Sequence, residues 1–218
     1  MNKNIARKTA NLLFDINAIS ISLKKPFRFT TGILSPIYID NRMTISYPKV
    51  RKQINYFYIK IIMEKIGLDN IDVISGTATA AIPYAAFIAQ ELNLPMIYVR
   101  KDKKGYGKQN KIEGIMKKGE KVLVIEDHIS TGSNLMGNVK AVRQRGGKVQ
   151  YAVGTTTYLM KIADKIFKKE KIKLFTFTDL NWIINVAIEK KLIKPAERKI
   201  ILEWAKNPKK WGKKFGFE

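Results

Sequence analysis

Cysteine is absent from the 218 residues of the chain, so disulfides, thiolate metal sites and cysteine nucleophiles are excluded, in keeping with a reducing cytoplasm. Long apolar runs are missing as well. No stretch is long enough to cross a bilayer, and the opening MNKNIARKTANLLFDI carries charges through its apolar positions, so neither a membrane span nor a cleaved leader is expected. Acidic residues are scarce: 18 Asp and Glu stand against 41 Lys and Arg, a formal net charge of +23. That surplus favours anionic partners, but the lysines are spread over the whole sequence and no RNP-type, zinc-finger or helix-turn-helix signature accompanies them. A solvated lysine surface and a small anionic substrate are expected, not a specific nucleic acid. Histidine occurs once. His128 is tempting as a general base, yet a lone histidine is weak evidence of catalysis, and a spacer between Asp127 and Ile129 is the better reading.

What is present is an alternation of strand and helix signals over a length suited to one α/β domain, 1–218. Short apolar runs predict strands at about 71–74, 96–99, 122–125, 149–153 and 173–178, with helices between them, which makes a parallel sheet covered on both faces. An amphipathic first helix is expected over about 4–19, a longer one from Val50 to Ile66 ended at Gly67, and a last one started by Pro195. In the segment PFRFTTGILSPIYIDNR, the Phe27/Phe29 and Ile37/Ile39 alternations predict two short strands about a turn from Gly32 to Pro36.

The stretch that organises the rest is KVLVIEDHISTGSN, beginning at Lys121. Four aliphatic residues run into Glu126 and Asp127, and then Ser130, Thr131, Gly132, Ser133 and Asn134 form the turn at the start of a helix whose apolar positions are Leu135, Val139 and Val142. Free N–H groups at a helix N-terminus bind phosphate, and small residues let it approach. The two carboxylates would repel phosphate but can accept hydrogen bonds from neutral hydroxyls or help hold a divalent cation, so the combination suggests a sugar phosphate. This loop is neither GxGxxG nor GxxxxGK[ST], which removes the dinucleotide and P-loop readings. A second small-residue loop, SGTATAA from Ser75, again leaves backbone N–H groups approachable. Between Arg100 and Lys111 lie six basic residues and two glycines without an apolar period, a cationic loop placed to close over polyphosphate at the carboxyl edge of the sheet.

These features together resemble the orotate phosphoribosyltransferases. IEDHISTGSN is similar to the phosphoribosyl-pyrophosphate (PRPP) signature of type I phosphoribosyltransferases, GTATAAIP to their pyrophosphate loop, and RKxxKGYG to the cationic loop of the orotate enzymes. Gly32, Ser35, Pro36 and Tyr38 match the substrate-covering segment, and EWAKNPKKW resembles the ending of one bacterial branch.

The resemblance implies a type I phosphoribosyltransferase fold: a central, mostly parallel sheet flanked by helices, with a small hood formed by about 1–45 and part of the C-terminus. It implies transfer of the 5-phosphoribosyl group of PRPP to orotate, in the cytoplasm, for pyrimidine synthesis. A phosphoribosyltransferase for another base, or a PRPP-binding regulator on the same fold, is the alternative. Arg100, Lys101, Lys104 and Tyr106 of the loop, with Thr77 and Ala78, would meet the pyrophosphate. Glu126 and Asp127 would hold the ribose, and His128, Ile129, Ser130, Thr131, Gly132, Ser133 and Asn134 complete the PRPP site. Ser130, Tyr38 and Tyr158 would meet orotate; Lys104, Glu126 and Asp127 are the catalytic candidates. Mg²⁺ would ride mainly on PRPP, with Glu126 or Asp127 as a further ligand, and a homodimer would share the 100–111 loop between subunits. Tyr106 stands where the family has histidine; it can donate a hydrogen bond but cannot become an imidazolium.

Overall fold

The computed structural model describes residues 2–29, 32–100 and 111–217. Asn2 caps helix α1 (Lys3–Asp15), accepting from the N–H groups of Asn4 and Ile5. This helix stops four residues before the expected end because Asn17 turns the chain at φ +57°, and Ile19 enters a strand instead.

The hood differs from the expected hairpin. β1 (Ile19–Ile21), which sequence reasoning missed, pairs antiparallel with β4 (Ile37–Ile39), while β2 (Phe27–Arg28) pairs with β3 (Leu34–Ser35). Ser35 separates the two pairings: its hydroxyl donates to the Ile37 carbonyl at 2.6 Å and accepts from the Ile37 N–H at 3.2 Å, so the chain turns away from its own hairpin. A short 3-10 turn (Asn41–Ser46) leads to α2 (Pro48–Ile61), which ends in a single π turn (Ile62–Ile66) at Gly67, φ +81°.

The main sheet comprises β5 (Val73–Thr77), β6 (Met96–Val99), β7 (Ile112–Glu113), β8 (Val122–Ile129), β9 (Tyr151–Thr157) and β10 (Lys173–Asp179) in the order β10-β9-β8-β5-β6-β7. Every pairing in it is parallel except β6 with β7. Helices α3 (Ile82–Leu92), α4 (Ser133–Gln144) and α5 (Lys161–Lys169) make the crossovers, and α6 (Leu180–Glu189) follows the last strand, capped by Asp179, which accepts from Asn181 and Trp182. Pro195 opens a short 3-10 turn before α7 (Arg198–Lys206), and a further helix, α8 (Pro208–Lys214), follows. Trp204 of α7 donates to the Leu34 carbonyl at 2.9 Å, which ties the C-terminal helices to the hood.

The aliphatic run of β8 explains the layering. Val122 and Val124 pack with Leu135, Val139, Val142 and Phe167 of α4 and α5 on one face. Leu123 and Ile125 join the larger core of α1, α2, α3 and α6 on the other. Successive side chains of a strand point to opposite faces, so a central strand must be apolar throughout, and each such side chain contributes about 1.5–3 kcal/mol on burial. Among the described residues no helix is long and apolar enough to cross a membrane.

Three strands run past their expected ends, to Thr77, Ile129 and Thr157. Polar residues that look like strand terminators are here satisfied internally. The Thr155 hydroxyl meets that of Tyr58 at 2.9 Å, Thr156 accepts from Asn41 Nδ2 at 2.8 Å, and Ser75 donates to Asn138 Oδ1 at 2.9 Å.

Candidate active site

Because β8 continues to Ile129, the two acids lie within the strand, close to its carboxyl end. Glu126 is only 4% exposed, while Asp127 is half-buried. The Glu126 Oε1 accepts from the Asp127 N–H at 3.1 Å; Oε2 is buried and finds no partner among the described residues. Burial, reinforced by the charge of Asp127, pushes the Glu126 carboxyl well above the usual range, and burial also raises Asp127. Two adjacent carboxyls in such a place shed their protons reluctantly, and hydroxyl donors or cations supplied from outside would let both ionise.

A polar chain crosses under this pair. Ser75 donates to Asn138 of α4, whose Nδ2 donates to Thr77 Oγ1 at 3.1 Å, and the Thr77 hydroxyl helps hold charge on Glu126. Asn138 thereby fixes the second small-residue loop relative to the cradle helix. It was missed in the sequence because it sits among Leu135, Val139 and Val142 on the apolar face; an amide at a core position of an amphipathic helix is the signal that could have found it.

Helix α4 starts at Gly132, φ +81°, with no side-chain cap, so its first N–H groups face outward beside the exposed Thr131, Ser133 and Asn134. A cleft of about 170 Å³ adjoins it, lined by Thr77, Ala78, Arg100, Lys111, Ser133 and Asn134. Arg100 stands at its edge, 3.5 Å from Glu113. Glu126, His128, Ser130 and Gly132 line a smaller hollow on the neighbouring side of the same loop. The fold thus brings Thr77, Ala78, Arg100, Ser133 and Asn134 to one cleft, which Thr77 links to Glu126. Lys101, Lys104 and Tyr106 lie outside the described residues.

Three expected ligands are placed differently. Ile129 is 1% exposed, its side chain in the core behind α4 and α5, so it can offer a ligand only its backbone. Tyr158, expected against the base, is 3% exposed and enclosed between Trp204 and His128, ring centroids 4.8 and 4.1 Å away. It supports the hood through a hydrogen bond from the Ile39 backbone, and burial raises its hydroxyl pKa. Tyr38, by contrast, is 37% exposed beside Phe27 and Phe29. His128 is half-buried, but Nδ1 lies 2.7 Å from Thr156 Oγ1, Nε2 is buried, and desolvation holds its pKa down at about 3. Thr156 Oγ1 also accepts from Asn41 and donates to the Asp127 carbonyl at 3.4 Å, so the ring is tied through this threonine to the hood and to the backbone of the acid. A neutral, committed imidazole fits a spacer and not a general base.

The hood is joined to the acids through their backbone. Asn41 Nδ2 donates to the Asp127 carbonyl at 2.7 Å, and the Tyr58 hydroxyl donates to the Glu126 carbonyl at 2.9 Å. Tyr84 donates to Thr44, and Thr44 to the Asn41 carbonyl. None of these long-range contacts has a local sequence signature.

A phosphoribosyl transferase domain model matches residues 47–189, which contain the cleft and both acids. The orotate phosphoribosyltransferase of Staphylococcus haemolyticus is 42% identical over 203 residues, 93% of this chain and 100% of the relative. That of Coxiella burnetii is 41% identical over 208 residues, 95% of this chain and 99% of the relative. Among solved structures, Leishmania donovani UMP synthase matches with a TM-score of 0.76 at 26% identity over 92% of this chain, which spans 43% of that longer chain. The orotate phosphoribosyltransferase of Aeropyrum pernix shares the fold, with a TM-score of 0.69 at 23% identity over 85% of this chain and 99% of the other. With a parallel sheet that ends in paired acids, an uncapped cradle helix and a hood over both, the chain has the type I phosphoribosyltransferase fold and belongs to the orotate phosphoribosyltransferase family.

Proposed function

We propose that the chain transfers the 5-phosphoribosyl group from PRPP to orotate, giving orotidine 5′-monophosphate and pyrophosphate in pyrimidine synthesis. The observation that carries this reading is the single cleft that joins Thr77, Ala78 and Arg100 to the cradle residues Ser133 and Asn134, with Thr77 linking it to the buried Glu126.

Ser130, Thr131, Gly132, Ser133 and Asn134 receive the 5′-phosphate on backbone N–H groups and hydroxyls, with the positive end of the α4 dipole behind them. Glu126 and Asp127 accept hydrogen bonds from the ribose hydroxyls. As the bond from ribose C1 to pyrophosphate breaks, positive charge grows on the ribose ring and negative charge on the leaving group. The acids stabilise the first, and Arg100, Lys101 and Lys104, with the 76–80 loop, stabilise the second. The ring nitrogen of orotate is acidic enough to attack as an anion, so no dedicated base is needed, and the neutral His128 is consistent with that. Tyr106, where the family has histidine, donates a hydrogen bond to phosphate oxygen without adding charge.

The donor set suits Mg²⁺ if the substrate completes its shell. Glu126 Oε2 and the half-buried Asp127 are hard oxygen donors, and among the described residues no cluster of three or more metal-binding side chains occurs. Glu126 or Asp127 would hold one position of an ion carried chiefly by PRPP, and that ion supplies positive charge against the departing pyrophosphate. We further propose a cytoplasmic homodimer in which the 100–111 loop of each subunit serves the neighbouring site.

The test is PRPP-dependent loss of orotate absorbance in the presence of magnesium, with uracil, hypoxanthine and adenine as competitors. Competition by a purine but not by orotate would move the chain to another base, and failure to bind PRPP would end the reading.

A further inference from the structure

The guanidinium of Arg42 has an unusual disposition. Its Nε and Nη2 donate to the two oxygens of Asp40 at 2.6 and 2.7 Å, a bidentate pair made with one side of the group. A guanidinium carries five N–H donors, so this leaves the outer fork, one N–H of Nη2 and both of Nη1, for another acceptor. Nη2 also donates to the Tyr38 hydroxyl in a long bond of 3.4 Å, which a carboxylate would displace, and Nη1 has no partner among the described residues. The Arg42 side chain is 60% exposed, while its partner Asp40 is 23% exposed, so the pair anchors a cation whose open face looks outward from the hood.

Its position is set independently of that pair. Asp40 caps the 3-10 turn by accepting from the Arg42 N–H at 3.1 Å, and the next-door Asn41 is bolted to the Asp127 carbonyl. Arg42 is close enough to Asp127 for each to feel the other's charge. The other arginines near the site are committed elsewhere. Arg28 donates to the Gly32 carbonyl within its own hairpin, Arg51 donates to Ile45 and lies over Phe87, and Arg100 sits with Glu113 at the cleft.

Orotate is a uracil ring with a carboxylate on the carbon next to the nitrogen that attacks ribose. Whatever reads that carboxylate must therefore stand beside the ribose, on the hood side of Asp127. We infer that Arg42 is the specificity-determining residue for the substrate's carboxylate, offering its outer fork to the two carboxylate oxygens, with Asp40 as the positioning residue that holds the guanidinium plane and Tyr38 beside it. The inference rests on the orotate reading and sharpens it: this cation separates orotate from uracil and from any uncharged base.

The experiment compares orotate with its 6-carboxamide, which has the same ring but no charge, in wild type and in Arg42→Met and Arg42→Lys. In Arg42→Met the orotate KM should rise about thirty-fold or more, as expected for loss of a bidentate charge-assisted pair, while the PRPP KM and the inhibition constant of the carboxamide each stay within about three-fold. Arg42→Lys should recover only part of the loss, because an ammonium keeps the charge without the fork. An unchanged orotate KM in Arg42→Met overturns the inference, as does a parallel rise for the carboxamide, and so does a wild-type enzyme that binds both compounds equally. Unaltered thermal unfolding of the variants excludes misfolding, since the backbone cap at Asp40 does not use the arginine side chain. Absence of any orotate turnover in wild type would instead overturn the functional reading itself.

Discussion

Glu126 and His128 sit two residues apart on one strand, yet burial moves them in opposite senses, and each leaves its own trace in the pH dependence of stability. The folded-state pKa of Glu126 lies well above 4.5, so the fold binds that proton more tightly than the unfolded chain does. Its favourable share is complete below pH 4.5 and is lost as pH rises towards the raised value; above that the fold carries the cost of a buried charge. Glu126→Gln cannot ionise and should gain on wild type steadily as pH climbs from 4.5, while its turnover falls by about a hundred-fold or more, a trade of activity for stability. Urea unfolding at several pH values reads this directly, and curves that run parallel would sink it. For His128 the shift is from 6.5 down to about 3, so the unfolded chain takes up a proton that the fold refuses. Stability tied to this ring is intact above pH 6.5 and drains away as pH falls towards 3. His128→Gln should be the less stable protein at pH 7.5, with a deficit that shrinks by about 1.4 kcal/mol on going to pH 5.5. A deficit constant over that interval would mean that the imidazole titrates in the fold much as it does in the unfolded chain.

At the scale of elements, the cradle depends on a turn that only glycine serves well. Gly132 holds φ +81° at the start of α4, and a Cβ there would come within 2.7 Å of the Phe167 ring of α5. Gly137 lies in the same helix at an ordinary φ, with nothing within 4 Å of the Cβ it lacks. One substitution should therefore have opposite signs at two sites: Gly132→Ala lowers stability by about 1–3 kcal/mol and raises the PRPP KM, whereas Gly137→Ala adds about 0.5–1 kcal/mol. Equal effects in denaturant unfolding would show that neither the turn nor the Phe167 contact constrains the loop. The cradle was legible in the sequence because its chemistry is local: an aliphatic run, two acids and small residues, in order. The same holds for the strand expected at about 71–74 and the small-residue loop that follows it. What escaped depends on partners far along the chain. The strand expected at about 149–153 stops short of Thr155 and Thr156 because those hydroxyls look like loop residues until Tyr58 and Asn41 are seen to satisfy them. The pairing of Ile19–Ile21 with Ile37–Ile39 was invisible for a similar reason, since the intervening hairpin closes on itself. Tyr158 looked like a stacking residue at a strand end, and only the C-terminal Trp204 reveals that its ring is already covered.

The whole molecule carries 41 basic and 18 acidic side chains, so even complete one-to-one pairing would leave 23 cations unmatched. The ion pairs that do form are mostly at the surface, as with Arg7 and Glu189, whose side chains are 59% and 46% exposed. Such pairs contribute little, about 0–1 kcal/mol each. The dominant long-range electrostatic effect on the fold is therefore self-repulsion of the surplus, which disfavours the compact state, whereas the same field draws a polyanionic substrate towards the cleft. Salt screens both, with a Debye length that falls from about 30 Å at 0.01 M to about 8 Å at 0.15 M. Raising sodium chloride over that range should increase the thermal midpoint while it raises the KM for PRPP, and the orotate KM, governed by one short contact at Arg42 instead of the whole field, should move much less. Stability and substrate capture would thus respond to salt with opposite benefit. A midpoint that falls with salt would mean that favourable surface pairs outweigh the repulsion of the unmatched lysines, and a PRPP KM indifferent to salt would mean that capture depends on close contacts alone.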